Sequence, residues 1–296
     1  MRLKLADMRR AKRPFRPDLD TGDAKGLIVG RTSKMAHRED RVRLKALREA
    51  HLHCPELAAA AMDLHDRIAR AVASGEIPNS LASALYWREA CMGPVGHVWK
   101  GAEEYGAERT ALVTLRPRDL LWEAEDFMGV NPIVLKARLR NSLDRAGVTG
   151  APGWMLMGFD PEFDSNRGRA GVWDGHWHGI VGGEKIEALE ALRGRRAFKN
   201  ARVHPLERGM KEQPRVHVVE GLVNLPHPIC YCFKGWACHR PSWPNAEGVL
   251  VRSKRKGRVP TPNLIQWMLW MDMWALDDLV LRNGLLITRN GFLMSP

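Results

Sequence analysis

The chain has 296 residues, 45% of them hydrophobic, which is enough for a sizeable core and, on length alone, for two domains. A formal net charge of +12 favours a polyanionic partner, either nucleic acid or an anionic membrane surface. Five cysteines, an odd number with three crowded into 230–238, exclude a disulfide framework and fit a reducing, cytoplasmic compartment.

Residues 1–36 are basic, carry Pro and Gly and lack an apolar run of signal-peptide type, so they read as an arm. Residues 37–106 read as a helical region. Leu57, Ala60, Ala61, Leu64, Ile68 and Val72 recur at helical spacing within 38–74, and "NSLASALYWREAC" (79–91) reads as a further helix capped by Asn79 or Ser80.

The texture changes near residue 107. "TALVTLRP" (110–117) predicts a strand closed by Pro117, and "NPIVLKARLRNSLDRAG" (131–147) a helix capped by Asn131 and stopped at Gly147. Strands follow at 153–160 and at "WDGHWHGIV" (173–181), then a helix at 183–194, a strand at 214–223 and a short helix or turn at 227–236. This alternation predicts an α+β fold with a ferredoxin-like, split βαβ domain over about 107–245, built on a central antiparallel sheet. "RSKRKGR" (252–258) reads as a basic linker within 246–296. The Trp-rich segment 264–281 is interrupted by Asp272, Asp277 and Asp278, so it reads as a core or interface helix and not as a membrane span.

Candidate chemistry concentrates in two places. On a strand, residues two apart share a face, so His176 and His178 project together while Trp177 points the other way. Two neutral imidazoles so placed suit one divalent ion. An isolated pair of this kind is more often two partly buried, hydrogen-bonded histidines. A third ligand is available in "GFDPEFD": Asp160 is best placed, with Asp164 the next choice and Glu162 also present. Two imidazoles and a carboxylate suit the harder Mg²⁺ and Mn²⁺ less obviously than zinc, and ligand type alone does not settle the metal.

Downstream, "PICYCFKGW" places Tyr231 and Lys234 three apart, on one face of a helix. A free phenol is a poor nucleophile at neutral pH, and a nearby ammonium favours the phenolate and offsets charge on a phosphate. The same stretch offers a rival reading. Cys230, Cys232, Cys238 and His239 are zinc-ligand types, although the first pair has only one residue between its cysteines.

The strand "LVTL", the helix after it, the "HWHGIV" strand and the later "YCFK" helix, in that order, resemble the HUH endonuclease superfamily. The His-x-His motif ahead of the tyrosine resembles its rolling-circle replication initiators, the Rep class. The resemblance covers about 107–240. It implies metal-dependent nicking and rejoining of single-stranded DNA through a covalent 5′-phosphotyrosine, with no nucleotide or organic cofactor and with Mg²⁺ or Mn²⁺ as the ion. It assigns His176, His178 and Asp160 as metal ligands, Tyr231 as nucleophile and Lys234 as its assistant. The basic arm and 252–258 would then contact the DNA backbone, and Trp236 and Trp243 are the better placed of the eleven tryptophans for stacking on bases. The alternative is a non-catalytic, basic DNA-binding or zinc-binding regulatory protein on the same scaffold. An oligomer through the C-terminal helix and ordinary core packing of that helix are both open readings. The helical region and the tail match nothing in the family pattern.

Overall fold

A computed structural model describes residues 4–8, 32–166, 171–199, 214–222, 225–288 and 291–294. Most of the basic arm expected over 1–36 lies outside the described residues. The N-terminal helices are α1 (Ser33–Arg48), α2 (Ala50–His53), α3 (Ala58–Ala73) and α4 (Ala84–Tyr105). Thr32 caps α1 by accepting from the Met35 amide.

The start of α4 differs from the expectation. Ser83 is its cap, not Asn79 or Ser80, and its hydroxyl accepts from the Tyr86 amide. The buried Asp40 of α1 accepts from the Ala84 and Leu85 amides and from the Ser83 hydroxyl. That carboxylate comes from another helix, so local sequence could not place the cap.

The remaining elements are β1 (Thr110–Leu115), β2 (Leu121–Glu123), α5 (Pro132–Arg145), β3 (Trp154–Asn166), β4 (Val172–Gly182), α6 (Lys185–Ala188), β5 (Val216–Glu220) and α7 (His227–Tyr231). They are followed by β6 (Cys238–Pro244), β7 (Leu250–Arg252), β8 (Gly257–Arg258), α8 (Thr261–Asp272), α9 (Leu276–Leu279) and β9 (Val280–Asn283), and then by the hairpin β10 (Leu285–Thr288) and β11 (Gly291–Met294). Asn131 caps α5 as expected, accepting from the Ile133 and Val134 amides. Gly147, at φ +79°, lies just past the end of that helix.

The fold is α+β, a curled mixed sheet with helices. Nine strands form the sheet among the described residues. Its path runs β5-β1-β4-β3-β6-β7, with β2 on β4, β8 on β6 and β9 on β3. The β5-β1-β4-β3 pairs are antiparallel, and β3 and β6 run parallel.

Two expectations need correction. Strand β3 does not stop at Asp160 but continues to Asn166. Its alternation persists, with Phe159 and Phe163 buried on one face and Asp160, Glu162 and Asp164 buried on the other. The cations that make burial of these acids tolerable come from residues far along the chain, so local sequence does not extend the strand.

The second correction concerns 252–258, which is not a linker. It contributes to β7 and β8 of the sheet, and three of its five cations are engaged within the fold. Arg252 pairs with Asp164 and Asp174, Lys256 with Glu162, and Arg258 with Glu39.

One continuous core joins the helical region, the sheet and the tail. Five tryptophans (Trp154, Trp173, Trp177, Trp267 and Trp270) are fully buried in it. Phe127 stacks on Trp173 at 4.2 Å and sits 5.0 Å from Trp270 of α8. The Trp270 indole donates to the Val130 carbonyl at 2.7 Å, so α8 is core here, but the single helix expected over 264–281 ends at Asp272 and its last residues enter strand β9. No helix among the described residues is long and apolar enough to cross a membrane.

Candidate metal and tyrosine centre

The sheet register determines what meets on its polar face. Asp160 of β3 lies directly opposite His176 of β4, and His178 lies opposite both Gly158 of β3 and Thr114 of β1. Directly opposed residues of an antiparallel pair project to the same side. The three donors therefore converge. The Nε2 atoms of His176 and His178 are 2.9 Å apart, and Asp160 Oδ2 lies 3.3 Å from the first and 3.6 Å from the second. This buried group is close enough to hold one metal ion, and it is the one such cluster of three ligands found among the described residues.

The donor chemistry fits an ion. His176 Nδ1 lies 3.2 Å from the Asp174 carbonyl, which can only accept, so in the neutral ring Nδ1 carries the proton and Nε2 presents its lone pair to the cluster. His178 Nδ1 meets the Thr114 hydroxyl at 2.9 Å, a partner that can give or take a proton and so permits the same tautomer. Burial, then the neighbouring His176, pushes the His178 pKa well below the usual imidazole range. That ring is neutral, as a ligand must be.

The other acids are committed elsewhere. Glu162 pairs with Arg240 at 2.9 Å and Lys256 at 3.2 Å. Asp164 accepts from the Ser242 hydroxyl at 2.6 Å and pairs with Arg252 at 2.5 Å. Asp174 is held by Arg116 and Arg252. Of the three acids in "GFDPEFD", Asp160 is the one beside both histidines.

Tyr231 arrives over this face at the end of α7 and Lys234 just past the turn after it, not on one helix as expected, because α7 stops at Tyr231. The Tyr231 ring packs edge-on against His178 at 5.5 Å between centroids, and against His227 at 5.0 Å. Lys234 Nζ donates to Asp160 Oδ2 at 2.5 Å. Burial pushes the Asp160 carboxyl up, but the Lys234 charge and the His176 contact outweigh it and hold the group well below the usual carboxylate range. Burial likewise opposes the Lys234 charge, and Asp160 outweighs it, keeping the ammonium above its ordinary pKa. Asp160 is buried and Lys234 partly so, and each ion is stabilised by the other.

Three contacts seat this turn. Gly158 has no side chain where the Cys232 carbonyl descends onto β3; a Cβ there would lie 1.7 Å from that oxygen. The Trp87 indole of α4 donates to the Phe233 carbonyl at 2.7 Å, and Gly235 lies against the same ring. The buried Arg43 of α1 donates to the Gly235 and Ala82 carbonyls, at 2.7 Å each, and stacks on Trp267. The helical region, which the sequence left without a role, thus holds the backbone that carries Lys234.

Sequence reasoning did not find Thr114, His227, Gly158, Arg43 or Trp87. Only His227 left a signal: it precedes Tyr231 by four residues, one helical turn. The rival zinc cluster does not assemble. Cys230, Cys232 and Cys238 are buried thiols, and His239 Nε2 meets the Ser165 hydroxyl at 2.5 Å. Trp243 is exposed and Trp236 half-buried near the turn. No family model, curated protein or solved structure matches the chain.

Proposed function

We propose that this protein is a metal-dependent nickase and ligase of single-stranded DNA, of the HUH type and of the rolling-circle initiator class. The observation that carries the reading is the meeting of four separate sequence signals at one spot: Tyr231 against His178, and Lys234 on the Asp160 that completes the histidine pair. The antiparallel order β5-β1-β4-β3, with α5 between β1 and β3 and α6 between β4 and β5, supports the split βαβ, ferredoxin-like plan.

In this reading His176, His178 and Asp160 would hold Mg²⁺ or Mn²⁺, which would supply positive charge to the scissile phosphate. The Tyr231 oxygen attacks phosphorus and its proton passes to solvent. A Tyr–O–P bond forms and the P–O3′ bond breaks. The departing 3′ oxygen takes a proton and leaves as a free hydroxyl. Lys234 offsets the charge that builds on the phosphate. Reversal by the 3′ hydroxyl restores the strand, so no nucleotide is consumed.

Incubation with a varied single-stranded oligonucleotide library and Mn²⁺ tests the proposal. A denaturation-resistant adduct is expected from the wild type and none from Tyr231→Phe. Absence of adduct across the library refutes it.

A second reading has its own observation. The Lys234 ammonium already compensates Asp160, so a non-catalytic DNA-binding scaffold needs no ion. It predicts that Mn²⁺ leaves the melting temperature unchanged, whereas the nickase reading predicts a rise.

A further inference from the structure

Trp177, between the two histidines in sequence, projects through the opposite face of the sheet. There it lines a cavity of 260 Å³ together with Leu135 and Leu139 of α5. That cavity shares Asp119, Ser142, Arg145 and Ala197 with a larger opening of 640 Å³. Around the larger one stand Arg118, Arg145, Arg195 and Arg196. Its one acid among the described residues, Asp119, faces Arg138 at 3.5 Å. Among the described residues, none of the four rim arginines is paired with a carboxylate. Arg118 Nε is buried without a hydrogen-bond partner, although the backbone beside it is tied down, with the Arg118 amide donating to the Ala197 carbonyl at 2.9 Å.

Four guanidinium groups around one opening repel each other, and an unpartnered buried N–H costs free energy. This contrasts with the sheet's polar face, where Arg240, Arg252 and Lys256 each have a carboxylate. Guanidinium forks match phosphate oxygens, and the apolar floor under Trp177 suits the sugar or base beside them.

We propose that this cleft is a second nucleic-acid site, binding backbone phosphates on the side of the sheet away from Tyr231. The choice of nucleic acid among phosphate-bearing ligands rests on the function proposed above. What the cleft itself contributes is four arginines with no carboxylate partner among the described residues. It holds a segment of strand remote from the scissile phosphate and so acts on affinity and not on the chemical step.

The test uses the full chain and a fluorescent single-stranded 40-mer, with binding followed by anisotropy over a salt series. Arg195→Glu with Arg196→Glu is compared with wild type, and Arg118→Met serves as a milder second variant. Losing two phosphate contacts should lower the salt slope by ~1.4 and weaken binding by about tenfold at 150 mM salt, with normal melting temperatures. Adduct formation at saturating DNA should not change. Unchanged affinity and slope in both variants overturn the proposal. So does protection of Arg195 and Arg196 from phenylglyoxal by inorganic phosphate but not by the 40-mer, which marks a site for free phosphate. If wild type forms no adduct yet the slope still falls, the cleft stands and the nickase reading fails.

Discussion

Replacing Gly158 with alanine adds one methyl group where β3 meets the turn that carries Tyr231 and Lys234. The new Cβ would lie 1.7 Å from the Cys232 carbonyl oxygen. An ordinary carbon–oxygen contact is about 3.3 Å, so the turn must lift by ~1.5 Å. Neither partner can yield by rotating a side chain, because one is strand backbone and the other a backbone carbonyl. Overpacking of this kind costs ~1–3 kcal/mol, and an ångström of misplacement at a reacting group costs about a hundredfold in rate. Asp160 lies two residues along the same strand and His178 directly across from Gly158, so the proposed ligands themselves stay on the sheet.

Gly158→Ala should therefore keep Mn²⁺ affinity within severalfold while adduct formation falls by about two orders of magnitude. Paired calorimetric titration and single-turnover gel assays read both quantities. Wild-type adduct rates in a variant with an unchanged melting temperature would refute the reasoning about how the turn is seated.

Lys234→Met leaves the Asp160 carboxylate buried without its cation, a loss of ~3–5 kcal/mol that denaturant melts should show. Because an ion can replace that charge, Mn²⁺ should raise the variant's melting temperature more than the wild type's. His176→Ala should abolish the Mn²⁺-induced rise altogether. Glu39 provides a pH prediction. Burial pushes its carboxyl up, but Arg258 and Arg43 outweigh this and hold it at about 2, below the unfolded value of 4.5. A lowered carboxylate pKa stabilises the fold above the unfolded value, and that stabilisation is lost as pH falls from 4.5 towards 2. Glu39→Gln should thus cost ~2 kcal/mol at pH 7, after allowing for screening at the half-exposed Arg258, with the difference vanishing near pH 2. A difference that stays constant from pH 7 to pH 2 would contradict the assigned ion pairs.

The elements that announce themselves locally were legible. Helix α5 carries its cap, its Pro at the first position and its stop glycine in one run, and the alternation of β4 gave the shared face of His176 and His178. What was not legible depended on partners distant in sequence. Asp160, Glu162 and Asp164 look alike in "GFDPEFD", and only pairing across β4, β6 and β7 separates the one beside the histidines from the two held by Arg240 and Arg252. The basic run 252–258 looked solvated because the carboxylates that pair with its Arg252, Lys256 and Arg258 lie on α1, β3 and β4. Arg43 and Trp87 gave no signal because each acts through a backbone carbonyl, which any residue could supply.

The central claim is that Tyr231 becomes joined to DNA at a metal-dependent centre. Of the chain's three tyrosines, Tyr231 alone lies in the tryptic peptide from Val216 to Lys234. Mass spectrometry of protein incubated with single-stranded DNA and Mn²⁺, then digested with nuclease and trypsin, reads the claim directly. The account predicts a nucleotide phosphate on Tyr231 that disappears with chelator and in His176→Ala. An adduct on Tyr86 or Tyr105, or one on Tyr231 that forms equally well without metal, would contradict it.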